Sequence, residues 1–241
     1  MTDSKRGLLI IVNNNQEPEI HRVLESATAY HPAADCVIVD DGSTDQSPAI
    51  AERMGFRVIR HMTNRGVGAA IRTGIQAAQA SGYEYVIIMA ANGKMKPIDL
   101  PQIKAPILND QADYVQGSRY LNAGGSQGLT WFRTIAIPVF TFLVNLLLGR
   151  KLTDATCGFR AYTLRFVADP RLDIHQEWLD RYELEYYLHF WACRLNYKIQ
   201  EVPVTMDYSH LAKNRKTKIR PFLGWWSMAR PFIYLCFGIK K

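Results

Sequence analysis

The stretch DCVIVDDGSTD, residues 35–45, decides how the first half of the chain folds. Its apolar run has β-forming residues, ends in Asp40 and Asp41, and is followed by a Gly-Ser turn. In open α/β sheets, ligands bind in the crevice at the carboxyl ends of the strands. A carboxylate there can accept hydrogen bonds from a base imino group or a ribose hydroxyl. The competing interpretation is a turn in which Asp45 caps the next helix.

Strands and helices alternate on both sides of this stretch. Strands are predicted at residues 7–12, 56–61, 85–90 and 113–119, and helices at residues 17–30, 47–54 and 67–80. Strands separated by helices of this length predict an α/β protein whose mostly parallel sheet carries helices on both faces. The second half has an apolar helix after Arg133, an amphipathic helix near residues 177–194, and a strand at residues 197–206.

The composition is that of a globular protein with an anionic partner. The chain has 241 residues, of which 48% are hydrophobic and 21% charged, with a formal net charge of +7 and a pI of about 9.2. This balance favours nucleotide phosphates, a lipid surface or nucleic acid, or it serves solubility alone. The C-terminal aromatic residues cluster in one apolar segment and do not alternate with the basic ones, so no nucleic-acid partner is predicted.

Two apolar segments, residues 134–149 and 221–238, predict contact with a membrane surface. The first is shorter than the roughly 20 residues of a spanning helix, and Arg230 and Pro231 interrupt the second. Both fit a membrane interface, and burial in the core is the alternative. The basic residues Lys213, Arg215 and Lys218 precede the second segment. We therefore expect a main domain at residues 1–210, a basic and aromatic extension at residues 211–241, and peripheral association with the cytoplasmic face of a membrane.

A second candidate ligand loop is NRGVGAA, residues 64–70. Gly66 and Gly68 allow a backbone to approach a ligand closely, and the N-terminus of the following helix favours an anion. The loop is not a Walker sequence, since no Gly-Lys-Ser/Thr follows. Close packing of the helix on the sheet explains the glycines equally well.

These segments together resemble the family 2 glycosyltransferases. VDDGSTD, NRGVGAAIRTG, VIIMAANGKMKP, DYVQGSR, DATCGFRAY and YKIQEVPV follow the order and spacing of that family over roughly residues 7–206. The nearest group is that of the dolichyl- and polyprenyl-phosphate sugar synthases. The resemblance implies a GT-A fold, a nucleotide-sugar donor and transfer with inversion. It also implies a nucleotide-binding half at about residues 1–119 and an acceptor half at about residues 120–210.

The resemblance assigns the donor-binding residues. It implies that Asp41 reads the nucleotide base and that Asp40 supports it. Asn14 and Gln16 stand where the family usually has a tyrosine and a glutamate that grip the nucleoside, so both are expected to contact the nucleotide. The remaining residues predicted to bind the donor are Arg65, Gly66, Gly68 and Asn92.

The largest departure from the family lies at residues 90–92. The family usually has an Asp-x-Asp here that holds Mg²⁺ or Mn²⁺, and this chain has Ala90, Ala91 and Asn92. A neutral amide is a weak metal anchor. We expect either weak metal binding at Asn92 or catalysis without a metal, in which Lys94 balances part of the diphosphate charge. Lys96 is on the same predicted face of the loop, and simple solvation of both lysines is the alternative.

The remaining expectations concern the acceptor side. Arg119 resembles a phosphate clamp at the end of a strand, and Arg160 resembles support for the acceptor, together with Asp154. Lys213, Arg215 and Lys218 are expected to close over phosphates. Asp180 is the candidate general base, with Glu183 or Glu185 next. A hydroxyl acceptor needs such a base, whereas a phosphate acceptor does not.

Two rival functions remain open at this point. A GT-A-like module that has lost its acids would bind a nucleotide sugar without turning it over. A nucleotidyltransferase would have a glycine-rich loop after the first strand, and IIVNNNQEPEI has no glycine.

Overall fold

The computed structural model describes residues 5–209 and 223–240. The strands within these ranges are β1 (Gly7–Asn13), β2 (Cys36–Asp40), β3 (Arg57–Arg60), β4 (Tyr85–Ala90), β5 (Tyr114–Ser118), β6 (Gly125–Gln127), β7 (Arg160–Thr163), β8 (Ile199–Pro203) and β9 (Thr205–Asp207). The helices are α1 (Glu17–Thr28), α2 (Ser47–Arg53), α3 (Val67–Ala80), α4 (Leu100–Leu108), α5 (Trp131–Leu148), α6 (Leu164–Val167), α7 (Glu183–Arg194) and α8 (Leu223–Cys236).

A seven-stranded sheet in the order β3-β2-β1-β4-β7-β5-β8 forms the centre of the fold. β1 pairs in parallel with β2 and β4, β2 with β3, and β5 with β8. Only β7 runs antiparallel, between β4 and β5. The predicted mostly parallel α/β sheet is confirmed, and strands from both predicted halves of the main domain belong to it.

The strand β1 shows why the central strands are apolar throughout. Leu9 and Ile11 pack into one hydrophobic cluster, on the face covered by α1 and α4. Leu8 and Ile10 pack into a second cluster, on the face covered by α3 and α7. Since side chains alternate between the faces of a strand, a strand covered on both faces needs an apolar residue at every position.

Three segments differ from the sequence prediction. The strand β7 was not predicted, because it has only four residues and includes a buried arginine. The predicted helix at residues 177–194 is a short 3-10 helix (Glu177–Leu179) followed by α7, because the carbonyl of Asp180 accepts from Ala69 N at 3.0 Å instead of continuing the helix. The predicted strand at residues 197–206 is divided at Val204, whose amide donates to the carbonyl of Ser118.

The helix α5 leaves most of its apolar surface exposed. Its inner side contributes Phe140 and Val144 to a third cluster with α7 and α8. It is the one helix among the described residues that is long and apolar enough to cross a membrane, by length and composition alone. It begins at Trp131, before the predicted apolar segment, and 22% of it is buried. Its exposed large apolar side chains are Trp131, Phe132, Ile135, Val139, Phe142, Leu143, Leu146 and Leu147.

A buried carboxylate joins the C-terminal helix α8 to α7. Glu183 is 1% exposed, and its Oε1 lies 2.5 Å from the hydroxyl of Ser227 and 2.6 Å from Nη2 of Arg230. The predicted extension therefore packs through α8 against the main domain. Deleting one partner of an ion pair that is mostly removed from water costs the protein far more stability than deleting one partner of an exposed pair.

His189 is a neutral histidine in the core. It lies on α7 under the sheet, fully buried, and its Nδ1 is 3.2 Å from the hydroxyl of Tyr114. Burial, with a smaller contribution from the charge of Arg160, lowers the pKa of His189 from 6.5 to about 3. Its contacts are those of a packing and hydrogen-bonding group.

The pKa of His189 predicts a loss of stability in acid. Below pH 6.5 the unfolded chain binds a proton at this position, and the folded protein does not until about pH 3. The free energy of unfolding therefore falls by up to about 1.4 kcal/mol for each pH unit in this window. Urea unfolding of His189→Gln between pH 7 and 4 should show a correspondingly flatter dependence on pH. His21→Gln, on the exposed surface of α1, is the control, and equal slopes for both variants would contradict the assignment.

Candidate active site

A cleft of about 1500 Å³ opens at the carboxyl ends of β1, β2 and β4. One wall is polar and comes from the loops after these strands and from the loop before α3. The opposite wall is largely apolar and comes from α5, α7 and α8. Residues of the polar wall include Asn14, Asn15, Gln16, Asp41, Asn64, Gly66, Asn92 and Lys94, and residues of the apolar wall include Phe132, Ala136, Ile137, Phe140, Leu143, Tyr182, Tyr186, Trp226 and Met228.

Asp41 lines the cleft and holds the loop before α3. Its carboxylate accepts hydrogen bonds from the backbone amides of Arg65 and Gly66, each at 2.8 Å. Nδ1 of His61 also lies 2.8 Å from it, while Nε2 of His61 contacts Thr73. A carboxylate has about four acceptor positions, so these contacts occupy most of them. Arg65 thus contributes its backbone amide here, and its side chain is exposed.

Asp40 does not reach the cleft among the described lining residues, contrary to its predicted place in the donor site. Its Oδ1 accepts from Asn13 at 2.7 Å and from the hydroxyl of Ser43 at 2.5 Å. Asn13 also bonds to Ser47, the first residue of α2. The role that fits these contacts is to fix the turn after β2, because a buried carboxylate must be satisfied by donors.

Asn14 and Gln16 line the cleft as the resemblance implies. Nδ2 of Asn14 donates to the carbonyl of Asp41 at 2.8 Å, and Nε2 of Gln16 donates to the carbonyl of Asn14 at 2.9 Å. Between them Asn15 has a φ of 53° and accepts from the amide of Thr44. The end of β1 is therefore bound to the turn after β2, which fixes this part of the wall.

The glycines at the start of α3 serve close packing. A Cβ at Gly66 would lie 2.3 Å from the carbonyl oxygen of Asp180, and one at Gly68 would lie 2.0 Å from that of Leu179. Gly66 lines the cleft, whereas Gly68 is buried against residues 179–181 and is absent from the described lining. The predicted contact of Gly68 with the donor is thus replaced by a backbone contact. The sequence left open whether these glycines allow close approach of a ligand or close packing of the helix, and packing applies to both.

The replacement Gly68→Ala tests this packing. We expect it to lower the free energy of unfolding by about 2 kcal/mol or more, because the carbonyls it meets belong to the backbone and have little freedom to move. Gly125→Ala is the matched control, since a Cβ there meets nothing within 4 Å, and its effect should stay within about 0.5 kcal/mol. Chemical denaturation measures both, and a Gly68→Ala protein as stable as the control would refute the contact.

The loop after β4 divides its polar side chains between the cleft and the protein interior. Asn92 and Lys94 line the cleft, and Nζ of Lys94 lies 5.6 Å from the centre of the Tyr208 ring. Lys96 does not share that direction: its Nζ pairs with Asp207 at 2.6 Å. The expectation that Lys96 faces the same ligand is therefore wrong, because its ammonium is bound to a carboxylate of β9.

Arg119 lies at the back of the cleft in a buried network. Its Nε and Nη2 bind the two oxygens of Asp154 at 2.7 and 2.8 Å, and its Nη1 donates to the hydroxyl of Tyr208 at 2.9 Å. Burial opposes the charge of Arg119, but the hydrogen bonds and charge of Asp154 raise its pKa above the usual value. A permanently charged guanidinium thus lines the cleft, and four of its five N–H groups donate to Asp154, Thr156 and Tyr208.

The three candidate acids occupy different environments. Asp180 forms an ion pair with Arg72 and is not part of the described lining, so its proposed role as base is not supported by its position. Glu183 is used by Ser227 and Arg230. Glu185 alone of the three lines the cleft, and burial raises its pKa although the charge of Arg160 opposes this.

Arg160 supports the site from beneath. It is 1% exposed, and it donates to the carbonyls of Cys157, Ala155 and Glu185. Its Nη1 is 3.9 Å from the carboxylate of Glu185. The guanidinium is enclosed by protein and does not reach the cleft surface, a position that fits the supporting role predicted for Arg160. Lys213, Arg215 and Lys218 lie outside the described residues.

Sequence reasoning missed several residues of the cleft. Tyr208 joins Lys94 to Arg119, but nothing in the sequence distinguishes it from other tyrosines. Ile137 belongs to the segment that the sequence assigned to a membrane or to the core, and Phe132 and Arg133 directly precede that segment. The apolar periodicity of α5 was the available signal, since it predicts an inner face.

The side chains that line the cleft offer few oxygen ligands for a divalent cation. Within residues 5–209 and 223–240, no group of three or more His, Cys, Asp or Glu side chains could hold a metal. At the position of the expected acid pair, Asn92 offers one amide oxygen, and that oxygen accepts from the backbone amide of Lys94 at 3.1 Å. Hard cations prefer carboxylates, so these residues do not fit the metal that the family implies.

A mostly parallel sheet with a wide polar and apolar cleft at its carboxyl edge defines an enzyme of the GT-A class. The chain belongs to the family described as glycosyl transferase family 2, which matches residues 8–169. It is a glycosyltransferase, as the resemblance implied.

Known proteins similar to this chain include lipid-phosphate glycosyltransferases. A UDP-N-acetylglucosamine–dolichyl-phosphate N-acetylglucosaminyltransferase of Methanococcus voltae is 28% identical over 88% of this chain and 89% of its own length. The human dolichyl-phosphate beta-glucosyltransferase is 27% identical over 96% of this chain and 75% of its own length. The structure of Mycobacterium tuberculosis glucosyl-3-phosphoglycerate synthase with Mn²⁺ and UDP-glucose matches with a TM-score of 0.65 and 18% identity. That match covers 97% of this chain and 78% of the solved one, and it supports the fold.

Proposed function

We propose that this protein transfers a sugar from a nucleotide sugar to a polyprenyl phosphate, with inversion, at the cytosolic surface of a membrane. One observation carries the proposal: a single cleft joins a polar wall to an apolar wall built by the exposed helix α5. The names of the similar proteins, which contain dolichyl phosphate, support the same class of acceptor. A soluble acceptor would leave the apolar wall without a purpose.

The donor fits the polar wall. Asn14, Gln16 and Asp41 offer amide and carboxylate groups for a base and a ribose, and all three are held by backbone contacts. The diphosphate then extends toward Asn92 and Lys94 at the end of β4. Groups fixed before the ligand arrives lose little entropy on binding, which favours affinity.

The acceptor fits the opposite wall. A phosphate head group can lie between the two walls, and an isoprenoid chain can lie along Phe132, Ile137 and Leu143. Each apolar side chain that the isoprenoid covers contributes to the binding free energy in proportion to the apolar area removed from water, about 25 cal/mol per Å². The charged head and the apolar tail are thereby bound by different parts of one cleft.

The reaction is a single displacement. An oxygen of the acceptor phosphate attacks the anomeric carbon of the sugar, and a new C–O bond forms as the bond from that carbon to the nucleoside diphosphate breaks. The electron pair of the broken bond stays on the diphosphate, so attack from the opposite side inverts the carbon. The acceptor oxygen is already anionic, and no general base is needed.

The test of this function is turnover with defined substrates. The full-length protein is incubated with a panel of nucleotide sugars, with and without a polyprenyl phosphate, and the released nucleotide and the lipid product are measured. Release that depends on the lipid supports the proposal. Binding of a nucleotide sugar without turnover would instead favour a non-catalytic module, and turnover that forms a nucleotide sugar would favour a nucleotidyltransferase.

Glu185→Gln distinguishes the two kinds of acceptor in this assay. If the acceptor is a phosphate, kcat should change by less than about tenfold, since loss of a general base costs about 10²- to 10⁴-fold only where a proton must be removed. Gln keeps the shape of the side chain that lies beside Arg160. A loss of kcat beyond a hundredfold, with an unchanged KM, would contradict a phosphate acceptor.

The exposed face of α5 predicts binding to membranes. Phe142 and Leu146 are 66% and 74% exposed on the helix. Replacing both with glutamate should weaken binding to vesicles of anionic and neutral lipid by at least about tenfold, because burial of each contributes about 1.5–3 kcal/mol. Ile98→Glu, at a position 62% exposed outside α5, is the control. Vesicle sedimentation measures all three proteins, and equal binding would argue against α5 as the contact.

A further inference from the structure

We propose that the donor diphosphate is bound without a divalent metal, by a cationic subsite made of Lys94 and Arg119 on either side of Tyr208. The inference rests on the proposed function, because it assigns the part of the cleft that holds the diphosphate. It differs from what the fold family implies, and the reason lies in the chemistry of this chain's own side chains.

The first step of the argument is the geometry around Tyr208. Nζ of Lys94 lies 5.6 Å from the centre of its ring, and its hydroxyl accepts from Nη1 of Arg119 at 2.9 Å. All three side chains line the cleft. The tyrosine therefore holds two cationic side chains at neighbouring points of one surface, a spacing that suits an anion with several oxygens.

The second step is how this arrangement is held in place. The carbonyl of Lys94 accepts from the amide of Asp207 at 2.8 Å, and Met95 forms an isolated bridge with Met206. The neighbouring Lys96 is fixed by its ion pair with Asp207. The loop after β4 is thus attached to the strand that leads directly to Tyr208, which fixes the backbone of Lys94 beside that residue.

The third step is the charge of the cleft. Its described basic side chains are Lys94, Arg119, Arg133 and Arg181, and its described acids are Asp41 and Glu185. The carboxylate of Asp41 accepts hydrogen bonds from backbone amides. Burial raises the pKa of Glu185, which disfavours the ionised form of its carboxyl. The lining therefore favours an anion and repels a divalent cation.

The two cations contribute differently. Arg119 is neutralised by Asp154, whose side chain is fully buried, and its other hydrogen bonds to Thr156 and Tyr208 leave at most one N–H, on Nη1, for a ligand. Lys94 is a compact ammonium at the end of β4, at the loop where the family usually places its acid pair. An ammonium there can stabilise the charge that develops on the diphosphate as the sugar leaves.

The experiment is calorimetric titration of the full-length protein with UDP and with GDP, in excess chelator and in Mn²⁺. We expect the nucleotide with the higher affinity to bind in chelator, and Mn²⁺ should increase its affinity by less than fivefold. Lys94→Ala should weaken its binding about tenfold to a hundredfold, the value of a charge-assisted hydrogen bond. The same variant should leave the affinity for the free nucleoside unchanged, because the nucleoside has no phosphate.

Lys198→Ala is the matched control. This exposed lysine contacts the carbonyl of Asp110, at the edge of the sheet away from the cleft, and its removal changes the net charge equally. Thermal unfolding of each variant verifies that the fold is retained. A gain above fivefold from Mn²⁺, or equal affinities for the Lys94→Ala and Lys198→Ala proteins, would overturn the metal-free subsite. Absence of nucleotide binding under every condition would instead overturn the proposed function itself.

A gain-of-function variant tests the position of the subsite separately. Ala90→Asp and Asn92→Asp are introduced into the Lys94→Ala protein, which places acids on the cleft side of the same loop. Carboxylates suit Mn²⁺, so we expect the nucleotide to bind at least about tenfold more tightly with Mn²⁺ than with chelator. If a folded variant shows no response to Mn²⁺, this loop does not face the diphosphate and the proposal is wrong.

Discussion

The carboxylate of Asp41 is the interaction on which the polar wall of the cleft depends. It receives the amides of Arg65 and Gly66 and contacts His61, so one side chain fixes the loop that enters α3. Backbone donors that are removed from water must find acceptors, and the carboxylate of Asp41 supplies them for Arg65 and Gly66. By satisfying them, Asp41 also allows α3 to approach residues 179–181 closely enough for a backbone hydrogen bond.

Buried charge pairs connect the polar wall to the apolar one. Asp154 orients Arg119 at the back of the cleft, and Glu183 holds α8 through Arg230. Arg160 lies between these pairs and binds three backbone carbonyls and the edge of Glu185. Buried ion pairs contribute little net stability to the fold, but removing one partner leaves the other as a buried charge without compensation. Their main effect here is to specify one relative arrangement of β5, α7 and α8.

The sequence predicted the sheet well because its central strands are apolar at every position and its helices have clear periodicity. It predicted β7 poorly, since four residues with a buried arginine carry no such signal. In the site, the strand pattern predicted Asp41 and Asn92 at the carboxyl ends of strands, and the family resemblance predicted Asn14 and Gln16. It could not separate Asp180 from Glu185, because the break between the 3-10 helix and α7 rotates one acid away from the cleft and the other into it. That break depends on the tertiary contact between Asp180 and Ala69.

The acids of the cleft support an anionic acceptor on physical grounds. Burial raises the pKa of Glu185, although the charge of Arg160 opposes this, so the ionised form of its carboxyl is disfavoured. A carboxyl whose ionised form is disfavoured repels an incoming phosphate less than a fully ionised one would. Arg160 keeps positive charge beneath the same position without reaching the surface. A cleft that combines hydrogen-bond donors, ammonium charge and a carboxyl of raised pKa therefore suits the proposed transfer of a sugar between two phosphates.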